Sequence, residues 1–297
     1  MQEKIAEVGR LKRVERFFSS CKHWFVLRRV IKASAAWEIV REYAEKPVVR
    51  QENIGRDCRI WVCWWQGEDA MPELVRACLR TVRLHACGHP VTVVTKDNFR
   101  SYVDLPEFIL SKVERGVIDL TKLSDVLRCA LIKRHGGIWI DSTIFLTRDV
   151  DDFIFVDRPF WTYRTFPTTN NVSAGNWTGN FWAAGRGNVL ASFLLDFHYS
   201  YWERNDRVLT YLLPDYGFVI GWKYVGVIRG MVEAVPRVNR DTVMKHYLNR
   251  PFDEGEWSYF VNEFVYQKLA YKMELVRWTA DGRLTHYGRF LELYGGK

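Results

Sequence analysis

The sequence predicts an α/β fold built on a partly parallel sheet. Ile60–Trp65 (IWVCWW) is a continuous apolar run, the pattern of a strand buried on both faces. Leu120–His135 carries one helical stripe of Leu123, Val126, Leu127, Ala130 and Leu131. Around these two segments the chain alternates as strand, helix, strand, helix, helix, strand, which is the spacing of βαβ units.

Residues 7–45 read as helix, because Leu11, Val14, Phe18, Cys21 and Phe25 recur at three- and four-residue steps and Trp24, Leu27 and Ile31 widen the stripe. Residues 46–59 are polar and irregular and read as a linker. Two units are expected: a basic, amphipathic helical extension over 1–57 and the main α/β domain over 58–297. After the first strand, Pro72 suits the opening turn of a helix from Glu73 to about Ala86. Val91–Thr95 is β-branched and forms the next strand, with Asp97 and Asn98 turning the chain. A short helix follows Pro106. Gly136-Gly137 ends the Leu120–His135 helix. Ile138–Ile140 is then a short strand stopping at Asp141, and Ile144–Leu146 resumes the apolar pattern. Helices are expected near 188–204, 206–213, 224–234 and 257–272.

Composition narrows the function class. At 48% hydrophobic residues the chain has ample material for a core, which excludes disorder. The 13 Trp, 14 Tyr and 18 Phe fill such a core and also suit stacking on sugar rings. The net charge of +8 fits phosphorylated small molecules, anionic lipid or nucleic acid. Eight basic side chains fall within residues 10–32: Arg10, Lys12, Arg13, Arg16, Lys22, Arg28, Arg29 and Lys32. Interleaved with the apolar stripe, they suit a helix on an anionic membrane surface, and equally a helix packed on its own domain with a solvated basic face. Nucleic acid is not expected as a partner, since no recognition motif accompanies the charge. The six cysteines form no CxxC pair and no His-Cys cluster, against structural zinc or a disulfide scaffold, and fit a reducing compartment. Met1–Arg10 is polar and charged rather than a signal peptide, and no stretch reaches the ~18 apolar residues that span a bilayer. The expected location is therefore cytoplasmic, with peripheral attachment to the inner membrane, and the sequons at Asn171 and Asn176 carry no expected meaning.

The chemistry is concentrated in Thr121–Thr143, TKLSDVLRCALIKRHGGIWIDST. Asp125 and Arg128 share a helix face, as do Thr121 and Asp125. Taken alone, this is what an N-cap at Thr121 or Ser124 plus a surface ion pair would look like. The order helix, Gly-Gly, buried strand, acid with hydroxyls at the strand end is more specific. A carboxylate at Asp141 suits a divalent cation on a diphosphate, and paired glycines between helix and strand let a nucleotide approach the backbone closely. Ligands of such sheets sit at the carboxyl ends of strands.

These residues resemble glycosyltransferase family 32, the DXD sugar-binding-region group, and within it the bacterial capsular polysaccharide synthesis proteins. The match runs over Ser124, Asp125 and Arg128, then Gly136, Gly137, Ile138, Trp139, Ile140, Asp141, Ser142 and Thr143. Ile60–Gly67 (IWVCWWQG) looks like the family's first strand, and Trp177–Trp182 and Tyr266–Leu269 match more loosely. The resemblance implies a GT-A-like α/β fold, a Rossmann-type mixed sheet flanked by helices, behind the N-terminal amphipathic extension. It implies a retaining glycosyltransferase that uses a UDP- or GDP-sugar donor with Mn²⁺ or Mg²⁺. The acceptor would be a polysaccharide or lipid-linked oligosaccharide in capsule, O-antigen or other surface glycan synthesis. By that analogy Asp125, Arg128 and Asp141 are the catalytic residues. The donor site comprises Trp65, Lys122, Ser124, Asp125, Arg128, Gly136, Gly137 and Asp141, and the metal ligands are Asp141 and Thr143; His286, in the terminal THYG patch, is read apart from the resemblance as a further metal ligand or a phosphate contact. Thr143 stands where the DXD pattern has its second acid, so a donor-binding pseudoenzyme or assembly partner is the alternative.

Overall fold

A computed structural model describes residues 21–47, 50–154, 157–166, 171–238 and 242–296. Leu11, Val14 and Phe18, with Arg10, Lys12, Arg13 and Arg16, lie outside the described residues. The chain enters through helix α1 (described over 21–33) and α2 (Ala36–Glu45). It then builds β1 (Ile60–Cys63), α3 (Glu73–Leu84), β2 (Val91–Val94), α4 (Glu107–Glu114) and α5 (Leu120–His135). The next strands are β3 (Gly137–Ile140), β4 (Ile144–Leu146), β5 (Phe160–Thr162) and β6 (Phe181–Ala184). The C-terminal part adds α6 (Val189–Arg204), α7 (Leu213–Tyr224), α8 (Gly226–Glu233), α9 (Glu254–Asn262), β7 (Tyr266–Lys268) and α10 (His286–Tyr294).

The expected partly parallel sheet is present. Its order is β2-β1-β3-β6-β5, with β2, β1 and β3 parallel, β6 antiparallel to β3, and β5 antiparallel to β6. β1 is central enough that Ile60, Trp61 and Val62 are all buried, as its unbroken apolar run requires. Helices flank the sheet, so this is the helix-flanked mixed sheet, GT-A-like in plan, that the resemblance implied. One cluster joins sheet and helices, from Val62, Ile140 and Trp182 to Leu131, Phe193 and Phe197. A smaller cluster sits beside it, where Phe145 of β4 meets Cys78 of α3, Trp257 of α9 and Phe290 of α10.

The described part of the 1–57 segment shares the main core. Val30, Ile31, Ala36, Ile39, Val40 and Tyr43 belong to it, and the Tyr43 hydroxyl donates to Asp196 of α6 at 2.5 Å. The stripe read from the sequence splits here. Leu27 and Ile31 pack in or against the core, whereas Trp24 and Phe25 are exposed.

Two C-terminal expectations need correction. No helix covers 206–213; the helix begins at Leu213, with Pro214 in its first turn, where a missing N–H removes no intrahelical bond. The helix expected over 257–272 stops at Asn262, and Tyr266–Lys268 becomes β7, antiparallel to β4. Burial against β4 decides that state, because a segment of three residues has little intrinsic preference.

α5 passes into β3 through Gly136 with no loop. Gly136 has φ 68° and Gly137 φ 110°. A Cβ on Gly137 would lie 2.4 Å from the Arg59 carbonyl oxygen, and one on Gly136 would lie 2.7 Å from the Arg186 amide nitrogen. The paired glycines therefore admit the protein's own backbone, and in doing so they set the angle between α5 and the sheet. Gly137→Ala meets both a disallowed backbone and a clash, so it should lower stability by about 3 kcal/mol or prevent folding, as read by denaturant unfolding.

Candidate functional site

The site lies at the carboxyl ends of the parallel strands, where open α/β sheets bind ligands. A cleft of about 330 Å³ is walled by the end of β1 (Cys63 to Gln66), the first turns of α5, the end of β3 and the segment leaving β7. Trp65, Ser124, Arg128, Asp141 and Thr143, all expected at the site, line it, together with Tyr211, Lys268, Tyr271 and Lys272.

The local sequence explains the placement. Asp119, rather than Thr121 or Ser124, caps α5 by accepting from the Lys122 amide at 2.8 Å. Lys122, Asp125 and Arg128 then follow at three-residue steps on one buried face of α5. The pair is inside the protein and not on its surface: Arg128 Nη2 lies 2.9 Å from Asp125 Oδ1 and 3.5 Å from Asp141 Oδ1. Arg128 also donates to the Gly179 carbonyl and stands over the Trp139 ring at 5.1 Å. Behind it, Lys122 Nζ donates to the Tyr211 carbonyl at 3.1 Å and lies 3.8 Å from Asp125.

Asp141 ends β3 and turns the chain out of the large sheet, with the Ile144 amide donating to its carbonyl at 3.0 Å. β4 then pairs with β7 in the register Ile144↔Lys268, which carries Lys268 back beside Asp141. Lys268 Nζ donates to Asp141 Oδ2 at 2.8 Å, and Trp139 Nε1 donates to Oδ1 at 2.8 Å. The result is one run of alternating charge: Lys122, Asp125, Arg128, Asp141, Lys268.

The two carboxylates differ in environment. Burial pushes the Asp125 carboxyl up to about 6, against the pull of Arg128 and then Lys122. Burial would raise Asp141 as well, but Lys268 and Arg128, with the Lys268 and Trp139 hydrogen bonds, hold it below the ordinary carboxylate value. Asp215, which accepts from Trp177 Nε1 at 3.1 Å, is raised by burial.

Several expected site residues stand elsewhere. Lys122 and Asp125 form a layer behind the cleft wall and reach a ligand only through Arg128. Gly136 and Gly137 lie at the opposite end of β3, about 13 Å from Asp141 at ~3.3 Å per residue, too far to meet a ligand there. His286 is fully buried at the start of α10, 2.9 Å from Glu256 Oε2 and stacked on Trp257, outside the cleft. It is a core histidine rather than a metal ligand of this site. Lys268 and Tyr211 were missed. The only sequence signal for Lys268 was the YQKL patch; its meaning depends on a strand pairing between distant segments.

The residues present do not fit a resident divalent ion. Among the described residues Asp141 is the one carboxylate lining the cleft, and no group of three or more His, Cys, Asp and Glu could hold a metal. An ion on Asp141 Oδ2 at ~2.1 Å would stand within about 5 Å of the Lys268 ammonium, a repulsion on the order of several kcal/mol even at an effective dielectric constant near 20.

A raised carboxyl makes a signed prediction. Because Asp125 binds a proton more tightly folded than unfolded, its ionisation costs stability as pH rises from about 4 to about 6, and the cost is level above that. Asp125→Asn removes this dependence. Its unfolding free energy relative to the parent should therefore increase between pH 4.5 and 6.5, by about 2 kcal/mol, and then stay constant, in denaturant titrations at each pH.

The chain is similar to the O-glycosyltransferase braB of Annulohypoxylon truncatum, 28% identical over 191 residues, or 59% of this chain and 42% of that protein. It thus spans less than half the length of that relative. Among solved structures it is similar to the PaToxG glycosyltransferase, with a TM-score of 0.44 and 14% identity over 72% of this chain and 83% of that one. A family model matches residues 14–287, nearly the whole sequence, and by that match the chain belongs to the capsular polysaccharide synthesis protein family.

Proposed function

We propose that this protein is a glycosyltransferase that moves a sugar from a nucleoside-diphosphate sugar to a growing surface polysaccharide or a lipid-linked oligosaccharide. The observation that carries the reading is the cationic cleft at the end of β3. Arg128, Lys268 and Lys272 face it against the single carboxylate Asp141. A diphosphate diester brings about two negative charges, which suits that excess. Trp65 and Tyr211 at the rim supply flat apolar surfaces for a base or sugar ring. Family membership and the likeness to a named glycosyltransferase support the reaction class.

In the transfer, the bond between the anomeric carbon and the diphosphate oxygen breaks and its electron pair stays on that oxygen. The acceptor hydroxyl oxygen bonds to the anomeric carbon, and its proton passes to the departing diphosphate. The chain's contribution is electrostatic: a guanidinium held in place by Asp125 and an ammonium held by Asp141 meet the developing charge without reorganising. Retention at the anomeric carbon, membership of glycosyltransferase family 32 and a UDP or GDP carrier belong to this reading on the strength of the sequence resemblance.

A thermal-shift screen of UDP- and GDP-sugars tests it, since a donor that binds only the folded state raises the melting temperature. One donor class should stabilise the protein and support transfer to a polysaccharide or lipid-linked acceptor. Arg128→Lys keeps the charge but loses the planar fork, and Asp141→Asn keeps the shape but loses the charge; each should lower transfer at least about tenfold, ~1.4 kcal/mol. Donor binding without any transfer or hydrolysis would instead make the protein a donor-binding partner in an assembly.

We also place the enzyme at an anionic membrane surface. Trp24, Phe25 and Trp37 are exposed, and Trp24 and Trp37 line a mainly apolar hollow of about 660 Å³ together with Arg28, Arg29, Lys32 and Lys223. Aromatic and basic side chains together favour the interface of an anionic leaflet. Among the described residues no helix is long and apolar enough to cross a membrane. Co-sedimentation with anionic vesicles should be salt-sensitive and fall when Trp24, Phe25 and Trp37 are all changed to Ser; binding unaffected by those changes would contradict it.

A further inference from the structure

Asp141 ends the strand at which the sequence resemblance places a metal, yet the structure gives that carboxylate a different partner. Lys268 Nζ is 2.8 Å from Asp141 Oδ2, in the place a cation bridging Asp141 to a diphosphate would take. The ammonium is not sealed off: the Lys268 side chain is 29% exposed and lines the cleft. Asp141 takes one of its three N–H donors, which leaves two for a ligand.

Its position is built rather than incidental. Lys268 is the last residue of β7, paired with Ile144 three residues beyond Asp141. The Leu269 amide donates to the Thr143 carbonyl at 2.9 Å, closing the ribbon at that end. The neighbouring Gln267 is fully buried: its amide donates to the Phe260 carbonyl, and its oxygen accepts from the Val243 and Met244 amides. An ammonium on such a strand is preorganised, the condition under which a charge is most effective in a cleft.

The charge balance points the same way from two sides. Thr143 in place of a second acid removes a negative charge that would hold a divalent cation. Lys268 adds a positive charge on the remaining acid. With Arg128 and Lys272 also on the cleft wall, the site offers a diphosphate its counter-charge from side chains alone.

We propose that Lys268, oriented by Asp141 and acting with Arg128, holds the donor diphosphate in place of a divalent cation, so that this protein binds its donor without metal. The inference rests on the proposed function. It makes Lys268 a binding residue of the site and Asp141 the residue that positions it.

Calorimetric titration of the whole chain with inorganic pyrophosphate, UDP and GDP, each in EDTA and the nucleotides also in Mn²⁺, tests both ideas separately. The expected result is that pyrophosphate and one nucleotide bind in EDTA, and that Mn²⁺ changes the nucleotide affinity less than about threefold. Lys268→Met should weaken both at least about tenfold in EDTA, while Lys268→Arg largely preserves them. In Lys268→Met, Mn²⁺ should restore nucleotide binding, because Asp141 is then free to hold it; a purely structural lysine would give no such metal dependence. Nucleotide binding by the parent that appears only with Mn²⁺ would overturn the inference and leave the proposed function standing. So would equal binding in EDTA by parent and Lys268→Met. Pyrophosphate binding in EDTA to which no nucleoside adds affinity would support the cation cradle and overturn the proposed function. Silence from every ligand would overturn both.

Discussion

The structure is organised around a buried line of alternating charge, Lys122–Asp125–Arg128–Asp141–Lys268. An isolated ion at such depth costs several kcal/mol to desolvate, and replacing the set with apolar side chains would not weaken the fold in general. Each member is tolerable because its neighbours have opposite sign and because the carbonyls of Tyr211 and Gly179 accept from Lys122 and Arg128. A protein that keeps three cations and two carboxylates in this arrangement retains them for what the exposed end does. At that end Arg128 and Lys268 meet the cleft.

The rest of the fold serves this line. Gly136 and Gly137 let α5 run into β3 without a loop, which fixes the helix face carrying Asp125 and Arg128 over the carboxyl end of the sheet. The large sheet ends at Asp141, and the chain leaves it for the small β4–β7 ribbon. That ribbon is anchored on the second core cluster, where Phe145 and Leu269 pack with α3, α9 and α10. The C-terminal segment thereby contributes a charge to a site whose carboxylate, Asp141, and guanidinium, Arg128, come from the first half of the chain. Altering the packing of Phe145 or Gln267 should be felt at the cleft through Lys268, although neither lines it.

Much of this was legible in the sequence. The strands at Ile60, Val91 and Ile138, the helix Leu120–His135 and the acid at the strand end all follow from period, β-branching and glycine, which are local signals. Five of the expected site residues line the cleft for the same reason: they sit within two stretches, at the ends of β1 and β3 and on the intervening helix. What could not be read was long-range. β7 is a strand only because β4 offers it an edge, so residues 257–272 looked helical throughout and Lys268 had no visible role. His286 looked available as a ligand because nothing local reveals the Trp257, Phe260 and Glu256 around it. The glycines were read as letting a nucleotide approach the backbone, but what approaches is the Arg59 and Arg186 backbone.

The central claim is that the exposed end of the charge line is a diphosphate site made of side chains. A crystal structure of the protein with its nucleoside diphosphate, grown with Mn²⁺ present, tests it most directly. The account predicts phosphate oxygens within hydrogen-bond distance of Lys268 Nζ and the Arg128 guanidinium, with Lys268 still on Asp141. A metal ion bridging Asp141 to the diphosphate with Lys268 turned away, or a nucleotide bound outside this cleft, would contradict it.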